Sequence, residues 1–512
     1  MHTLVVGAGS AGAVIAARLS ESTNQEVTLL EAGPDYPTIQ SVPEALRDGR
    51  HNAPYGGHES HDWGYKFRPA SQRPNVFAFP RGRVVGGSSA VNTCIALRGH
   101  PYDYDEWAAR GLADWSFTKC LPSFKRLEHD LDFDDEWHGQ GGPIPIRRHT
   151  ESELVPWQAA FGEAARRVGY AETVDHNNPE LPCGVGPHAM NKVAGERMSA
   201  ARCYLTQAVR RRENLHIVPN ASVIRLTFDG HKCTGVIIKG AGATTKTLRA
   251  DRVILSSGAI GSPGVLLRSG IGPKAELDRM NVTCLVDSPT VGATLLDHSG
   301  TAVLFAPRSS LLPSVNDPLI QVMARATSLG SDHPYDLQIQ AGSFLPIFGM
   351  SVPVFTMMAP IGRPDARGTL RFSSMDPDEK PHIEMGFLDH PRDQARVMEA
   401  LERIFEISRQ KEIRDIAFPV LPTARVLSNR DALRAYLPKI TGSGYHPSGT
   451  VPMGESTIKD GAVDGKGRLR GVTGVLVADA SIFPVIPTAN TNLPTLMVGE
   501  RISEFLKAGL DF

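Results

Sequence analysis

The stretch HTLVVGAGSAGAVIAARLS, residues 2–20, determines the fold class. It combines a short apolar strand, a glycine-rich turn and an alanine-rich helix. In its G-x-G-x-x-G pattern, Gly7 permits a tight turn, Gly9 lets backbone approach a pyrophosphate, and Gly12 allows close helix–strand packing. The helix N-terminus then presents free N–H groups and a partial positive charge to the phosphates. The stretch therefore predicts a Rossmann-like unit that binds a dinucleotide.

The next predicted strand, EVTLLEAG (residues 26–33), carries an acidic residue. Glu31 follows Gly12 by 19 residues. A carboxylate at this place accepts hydrogen bonds from a ribose diol and repels a 2′-phosphate, which disfavours NADP. The order of strand, turn, helix, strand and acid is a strong dinucleotide signal, but it does not separate FAD from NAD.

Composition restricts the class of protein. A chain of 512 residues is longer than the length that ordinarily folds around a single hydrophobic core, so we expect two joined domains. Lys and Arg number 54 against 55 Asp and Glu, without a basic stripe for nucleic acid or an anchor for a membrane. Six scattered cysteines contain no C-x-x-C pair. The apolar strand begins at Thr3, and no apolar run reaches the ~18 residues of a membrane span, so we expect a cytoplasmic protein.

Four further segments carry the motifs of one flavoenzyme family. They are PRGRVVGGSSAVNTCIALRGHPYDYDEW (80–107), HGQGGPIPI (138–146), SSGAIGSPGVLLRSGIGP (256–273) and GVLVADASIFPVIPTANTNLPTLMVGERISEF (474–505). With the N-terminus they run in the family's order from residue 3 to residue 505. The chain thus resembles the glucose–methanol–choline family of FAD-dependent oxidoreductases over its whole length. Within that family it looks most like bacterial oxidases of furanic, benzylic or similar primary alcohols.

The resemblance implies an α/β fold with a Rossmann-like FAD-binding domain and a second, mostly antiparallel-sheet (α+β) substrate domain. The FAD-binding domain is expected to be discontinuous, with segments 1–150, 191–295 and 437–512. The substrate-binding domain is then formed by 151–190 and 296–436. Within it, the alternating YDLQIQAGSF (335–344) and the apolar VPVFTMMAPI (352–361) are predicted strands.

The resemblance also assigns residues to FAD. Small side chains after the paired glycines are expected against the ring and pyrophosphate, where bulky ones would exclude the ring. The expected FAD-binding residues are Gly7, Gly9, Gly12, Glu31, Gly86, Ser88, Asn92, Thr93, Val223, Asp479 and Ala480. In some relatives a histidine of the 80–107 segment bonds covalently to the flavin. Here the matching residue is Val91, so we expect non-covalent FAD.

The loop GYHPSGT (444–450) sets His446 among glycines and a proline, which excludes a helix interior or a central strand. Alcohol oxidation needs a base for the hydroxyl proton near neutral pH, which a histidine supplies. The family pairs this histidine with a His or Asn about 40 residues later, and Asn490 lies 44 residues on. We interpret His446 as the base and the Asn490 amide as the holder of the substrate oxygen. The alternative is a structural loop histidine.

The sequence gives weaker signals for the substrate than for FAD and the catalytic pair. Phe355, Met357 and Tyr445 are predicted to line a pocket for a flat, uncharged alcohol, with ordinary sheet packing as the alternative for the first two. Choline-type relatives carry a glutamate at the approximate place of Gln321, which disfavours a cationic substrate. A further group, His51, His58 and His61, fits no standard zinc spacing, so no metal is predicted.

The leading hypothesis is FAD-dependent oxidation of an uncharged primary alcohol to the aldehyde. The hydride goes to flavin N5, and O2 or another molecule accepts the electrons. One alternative is an FAD-containing hydroxynitrile lyase, which is compatible with the same catalytic pair. The other is a non-catalytic flavoprotein scaffold, which the presence of His446 and Asn490 argues against.

Overall fold

The computed structural model describes residues 1–50, 61–71, 73, 75–240, 244–308, 311–314, 316–347, 350–352 and 354–509. Their two largest β-sheets are a five-stranded parallel sheet and an eight-stranded, mostly antiparallel sheet, and helices pack on both. The predicted α/β class, a Rossmann-like domain with a second antiparallel sheet, is confirmed.

The parallel sheet is built around the N-terminal strand His2–Val6. Its order is Leu215–Val218, Glu26–Leu30, His2–Val6, Arg252–Leu255 and Val475–Val477. Leu4 and Val5 are fully buried, as expected for a strand with neighbours on both sides. The glycine-rich turn follows this strand at the carboxyl edge of the sheet. It leads into the helix Ser10–Leu19, which packs against the C-terminal helix Asn492–Lys507.

The second sheet has eight strands. Seven follow the order Ala417–Leu421, Ser299–Pro307, Phe355–Pro360, Leu337–Gly342, Val322–Ala326, Gly184–Pro187 and Ala171–Glu172, and Gly442–Ser443 also pairs with Ser299–Pro307. Strands Leu337–Gly342 and Phe355–Pro360 fall within the two segments predicted to be strands. An apolar core joins the sheet to the helices Pro156–Arg167, Pro391–Ser408, Lys411–Ile416 and Arg430–Ile440.

Smaller elements complete the fold. The remaining α-helices are Glu44–Arg47, Pro101–Ala109, Phe117–Leu127, Ala200–Tyr204, Gln207–Arg210, Gly258–Arg268, Lys274–Arg279 and Ala424–Leu427. Short 3-10 helices span Ile39–Ser41, Gly87–Ala90, Ala113–Trp115, Glu151–Glu153 and Ala480–Ile482. A three-stranded sheet comprises Ser222–Asp229, Lys232–Lys239 and Thr245–Arg249. Paired short strands are Tyr65–Phe67 with Phe77–Phe79, Glu128–Asp130 with Ile144–Ile146, Lys192–Val193 with Glu196–Arg197, Ile271–Gly272 with Val286–Asp287, Leu345–Ile347 with Met350–Val352, and Thr369–Arg371 with His382–Glu384.

The short strand Gly442–Ser443 connects the predicted FAD-binding segment to the antiparallel sheet. It lies in the 437–512 segment that the sequence assigns to FAD binding, yet it hydrogen-bonds to Ser299–Pro307 of the antiparallel sheet. The chain passes directly from this strand into the His446 loop, so the second sheet positions that loop. None of the helices in the described ranges is long and apolar enough to cross a membrane.

Candidate active site

Two glycine-rich loops touch each other beside the parallel sheet. A Cβ on Gly12 would lie 1.9 Å from the carbonyl oxygen of Gly7, and a Cβ on Gly87 would lie 2.6 Å from the Cα of Gly9. Both distances are far inside van der Waals contact, so only glycine fits. The N–H of Gly86 also donates to the carbonyl of Ala8 at 2.8 Å. The two loops therefore present closely spaced backbone without side chains, as a pyrophosphate requires.

These loops open onto a cavity of about 310 Å³. It is lined by nine of the eleven residues predicted to bind FAD, namely Gly7, Gly9, Glu31, Ser88, Asn92, Thr93, Val223, Asp479 and Ala480. Gly12 and Gly86 lie behind this lining, in the loop contacts described above. Val91, Tyr445, His446 and Asn490 line the same cavity. The cofactor residues and the proposed catalytic pair thus share one space.

Glu31 is buried at the end of its strand. Its Oε2 accepts from the N–H of Ala8 at 3.0 Å, and its Oε1 accepts from the N–H of Gly33 at 2.9 Å. Burial raises the pKa of Glu31 to about 7, although both N–H donors favour the anion. Each carboxylate oxygen has a second lone pair, so Glu31 can still accept from a ribose hydroxyl.

Asp479 ties its own segment to the helix Gly258–Arg268 at the cavity wall. It accepts from the N–H groups of Gly258 (2.9 Å) and Ser481 (2.8 Å) and from the hydroxyl of Ser262 (2.6 Å). Burial raises its pKa against these donors. The neighbouring Ala480 accepts at its carbonyl from the N–H of Gly449 at 3.0 Å, which ties the cofactor segment to the His446 loop.

The His446 loop is rigidly held. Tyr445 has φ of +65°, a left-handed conformation that costs a non-glycine residue about 1 kcal/mol or more. Its N–H donates to the Ser443 hydroxyl, and its carbonyl accepts from Arg81, both at 2.7 Å. The N–H of His446 donates to Asp297 at 2.7 Å, and the Ser443 hydroxyl donates to the same carboxylate. Four hydrogen bonds thus maintain the strained turn that aims the imidazole.

The imidazole of His446 meets Asn490 at the cavity wall. Its Nε2 lies 3.0 Å from Nδ2 of Asn490, and its Nδ1 lies 2.9 Å from Nδ1 of His298. Burial, His298 and the charge of Arg81 hold the pKa of His446 well below its usual value. The ring is therefore neutral near pH 7, with a lone pair available at one nitrogen.

The structure places Phe355 and Met357 away from this cavity. Phe355 stacks on Trp157 with ring centroids 4.7 Å apart, and Met357 is fully buried in the same sheet–helix core. Neither is among the described residues that line the cavity. Alternation along the strand turns the next residue, Met358, to the opposite face, where it packs against the cluster Cys94, Ile95, Leu97, Met190, Leu319, Ile320, Met323, Phe344 and Ala489. The sheet-packing interpretation therefore describes Phe355 and Met357, and Tyr445 alone of the three reaches the cavity.

The structure also locates Gln321 and one of the three histidines that were considered as metal ligands. Gln321 accepts from the N–H of Val155 and donates to the carbonyl of Glu153, both at 2.9 Å, away from the cavity lining. His61 lies 2.7 Å from the Tyr36 hydroxyl, whereas His51 and His58 lie outside the described residues. Across the part of the chain that the structure describes, no group of three or more His, Cys, Asp or Glu side chains is arranged so that it could hold a metal ion.

Sequence reasoning missed three residues of the site. Asp297, His298 and Arg81 each contact the His446 loop, yet the contacting residues lie between 148 and 364 positions apart along the chain. The dipeptide Asp297–His298, directly before the long strand Ser299–Pro307, was the available signal. A pair of titratable residues entering a buried strand needs specific partners.

A Rossmann-like sheet whose glycine loops share a cavity with a histidine–amide pair defines a dinucleotide-dependent oxidoreductase. Two family models, both described as GMC oxidoreductase, match residues 1–300 and 364–499. The chain belongs to the GMC oxidoreductase family. The enzyme is thus an FAD-dependent oxidoreductase of CH–OH donors, and the glycine cradle and lining residues above fit FAD.

Individual relatives cover almost the whole chain. The chain is 35% identical to 5-(hydroxymethyl)furfural oxidase of Methylovorus sp. (strain MP688), over 98% of this chain and 97% of that protein. It is 31% identical to oxygen-dependent choline dehydrogenase of Photobacterium profundum, over 98% of this chain and 92% of that protein. The crystal structure of pyridoxine 4-oxidase from Mesorbium loti matches with a TM-score of 0.91 at 30% identity, over 99% of both chains.

Proposed function

We propose that the enzyme oxidises an uncharged, ring-bearing primary alcohol to the aldehyde, with His446 as the base and Asn490 as the holder of the substrate oxygen. The observation that carries this proposal is the 3.0 Å approach of Nε2 of His446 and Nδ2 of Asn490 in the cavity lined by the cofactor loops. FAD, when bound, supplies the acceptor for the hydride that leaves the alcohol carbon.

The pair suits an alcohol hydroxyl. A hydroxyl placed between the two side chains donates its proton to Nε2 of His446 and accepts from the amide of Asn490. The neutral state of His446 near pH 7 leaves Nε2 free to take that proton. Asn490 has no titratable proton, so it orients the oxygen without competing as a base.

The charge at the cavity wall favours an uncharged substrate. Arg81 lines the cavity, and its positive charge lowers the pKa of His446, so it also repels a cation bound beside that ring. The Asp297 carboxylate, which would attract a cation, is not among the described residues that line the cavity, and it accepts from the His446 N–H and the Ser443 hydroxyl. Relatives named for a furfural and a pyridoxine support a ring-bearing alcohol. Choline, for which the choline dehydrogenases are named, is a cation, and Arg81 disfavours binding of a cation in this chain.

Anaerobic mixing with candidate alcohols tests the proposal. Benzylic or furanic alcohols should bleach the flavin absorbance, and choline should do so far less efficiently. A clear preference for choline would refute the uncharged substrate class. If no alcohol bleaches the flavin but a cyanohydrin releases cyanide, the enzyme is a hydroxynitrile lyase. Admitting air to the bleached enzyme and assaying hydrogen peroxide then distinguishes O2 from another acceptor.

A further inference from the structure

A second histidine lies directly behind the proposed base. His298 is 2% exposed and precedes the strand Ser299–Pro307. Its Nε2 lies 3.0 Å from the carbonyl oxygen of Pro487, and its Nδ1 lies 2.9 Å from Nδ1 of His446. The two rings meet edge-on, with centroids 4.9 Å apart at an interplanar angle of 74°.

These contacts determine where each proton resides. A carbonyl oxygen only accepts, so Nε2 of His298 carries a hydrogen. Burial lowers the pKa of His298 to about 4, so near pH 7 the ring is neutral and its Nδ1 is an acceptor. The hydrogen between the two rings therefore belongs to Nδ1 of His446. Because that ring is also neutral, its Nε2 is bare and accepts from Nδ2 of Asn490.

We infer that His298 is a positioning residue, which fixes His446 in the tautomer with Nδ1 protonated and with the Nε2 lone pair directed at the substrate hydroxyl. The inference rests on the proposed role of His446 as the base. Without His298, the intrinsic tautomer preference of an imidazole would leave Nε2 protonated part of the time. That tautomer cannot accept the hydroxyl proton.

His298 also stabilises the cation that forms when His446 takes the hydroxyl proton. Once Nε2 of His446 takes the hydroxyl proton, the ring is a cation whose Nδ1–H donates to the neutral Nδ1 of His298. Within the described residues neither ring hydrogen-bonds to a carboxylate, because Asp297 contacts the backbone of His446 and the hydroxyl of Ser443. The charge of Arg81 lowers the pKa of His446 and that of Arg363 lowers the pKa of His298, so both arginines oppose the cation. The hydrogen bond between the rings is thus a main local source of stabilisation.

One short segment holds both ends of this chain of hydrogen bonds. Pro487 accepts from His298, and Asn490, three residues later, donates to His446. The N–H of Ala489 donates to the same Pro487 carbonyl at 2.8 Å, which fixes its orientation. A replacement at 298 must therefore accept from His446 and donate to Pro487 to keep the tautomer. Glutamine can do both, and leucine can do neither.

Stopped-flow reduction of the FAD-loaded enzyme by a benzylic alcohol, across pH, compares the variants. We expect His298→Leu to slow flavin reduction about 10- to 100-fold, the effect of losing a hydrogen bond to a charged ring, with alcohol binding changed by less than about twofold. His298→Gln should recover most of the rate and the wild-type pH profile. His231→Leu, which removes an exposed histidine bonded to the Gly471 carbonyl, is the control and should leave the rate unchanged.

Ring-¹⁵N histidine NMR of the holoenzyme reads the tautomer directly, with His446→Gln identifying the resonance. A protonated Nδ1 and a bare Nε2 in the wild type are expected, and a protonated Nε2 would overturn the inference even if His298→Leu failed to fold. Equal slowing in His298→Leu and His298→Gln would also overturn it, because that outcome indicates packing alone. Full activity of His446→Gln would instead refute the proposed function.

Discussion

The contact between the two glycine-rich loops predicts a specific loss of FAD affinity in Gly87→Ala. The new Cβ would lie 2.6 Å from the Cα of Gly9, and both partners are backbone that no side-chain rotation can clear. Gly87 also has φ of +52°, where an L-residue costs roughly 1–2 kcal/mol. The strain lowers stability, and the clash in addition separates the loop from Gly9, where the pyrophosphate approaches.

Gly230→Ala separates these two effects. Gly230 has φ of +54°, nearly the same as Gly87, but nothing lies within 4 Å of its added Cβ. Gly230→Ala should therefore lose about 1–2 kcal/mol of unfolding free energy in the apo protein, and Gly87→Ala should lose at least as much because the clash adds strain. Only Gly87→Ala should weaken FAD binding, by at least about tenfold, which corresponds to about 1.4 kcal/mol.

Titration of apo protein with FAD, followed by quenching of flavin fluorescence, measures the affinity, and chemical denaturation measures the stability. Equal FAD affinities for Gly87→Ala and Gly230→Ala would refute the inference that the loop contact shapes the cofactor site. A larger stability loss in Gly87→Ala alone would not, since the clash itself adds strain.

Four further outcomes are expected. His446→Ala should lower kcat/KM about 10²- to 10⁴-fold, or about 3–6 kcal/mol, and unchanged turnover would remove it from the mechanism. Acid precipitation should release FAD into the supernatant because Val91 offers no attachment; flavin in the pellet would contradict this. Phe355→Ala should cost about 3–5 kcal/mol of stability in denaturant titrations while kcat stays the same. A fall in kcat without destabilisation would instead indicate that Phe355 lines the substrate pocket. Glu31 holds its proton more tightly when folded, since its pKa rises from 4.5 to about 7. Apo-protein stability should therefore fall as pH rises through that window, and Glu31→Gln should flatten the dependence.

Most of the features that the sequence predicts depend on short local patterns. The glycines of residues 7–12 and the loop around His446 act through backbone conformation, which a few neighbouring residues determine. The side on which Phe355 lies was not predictable in the same way. Its strand, Phe355–Pro360, is buried on both faces apart from Met358, so no polar alternation indicates which side chains face the helices. Only the assembled sheet decides between the two faces.

The position of His298 behind His446 depends on one short strand pairing. Ser299 pairs with Ser443 and Gly300 with Gly442, so continuing this antiparallel register brings His298 opposite Gly444. The N–H of Gly444 indeed donates to the His298 carbonyl at 2.7 Å. A shift of one residue would turn the His298 ring to the other face of the strand and break its contact with His446. The register is formed between segments about 150 residues apart, and no local motif records it. The tautomer of the proposed base is therefore a property of tertiary structure, although the base itself is evident from the loop that carries it.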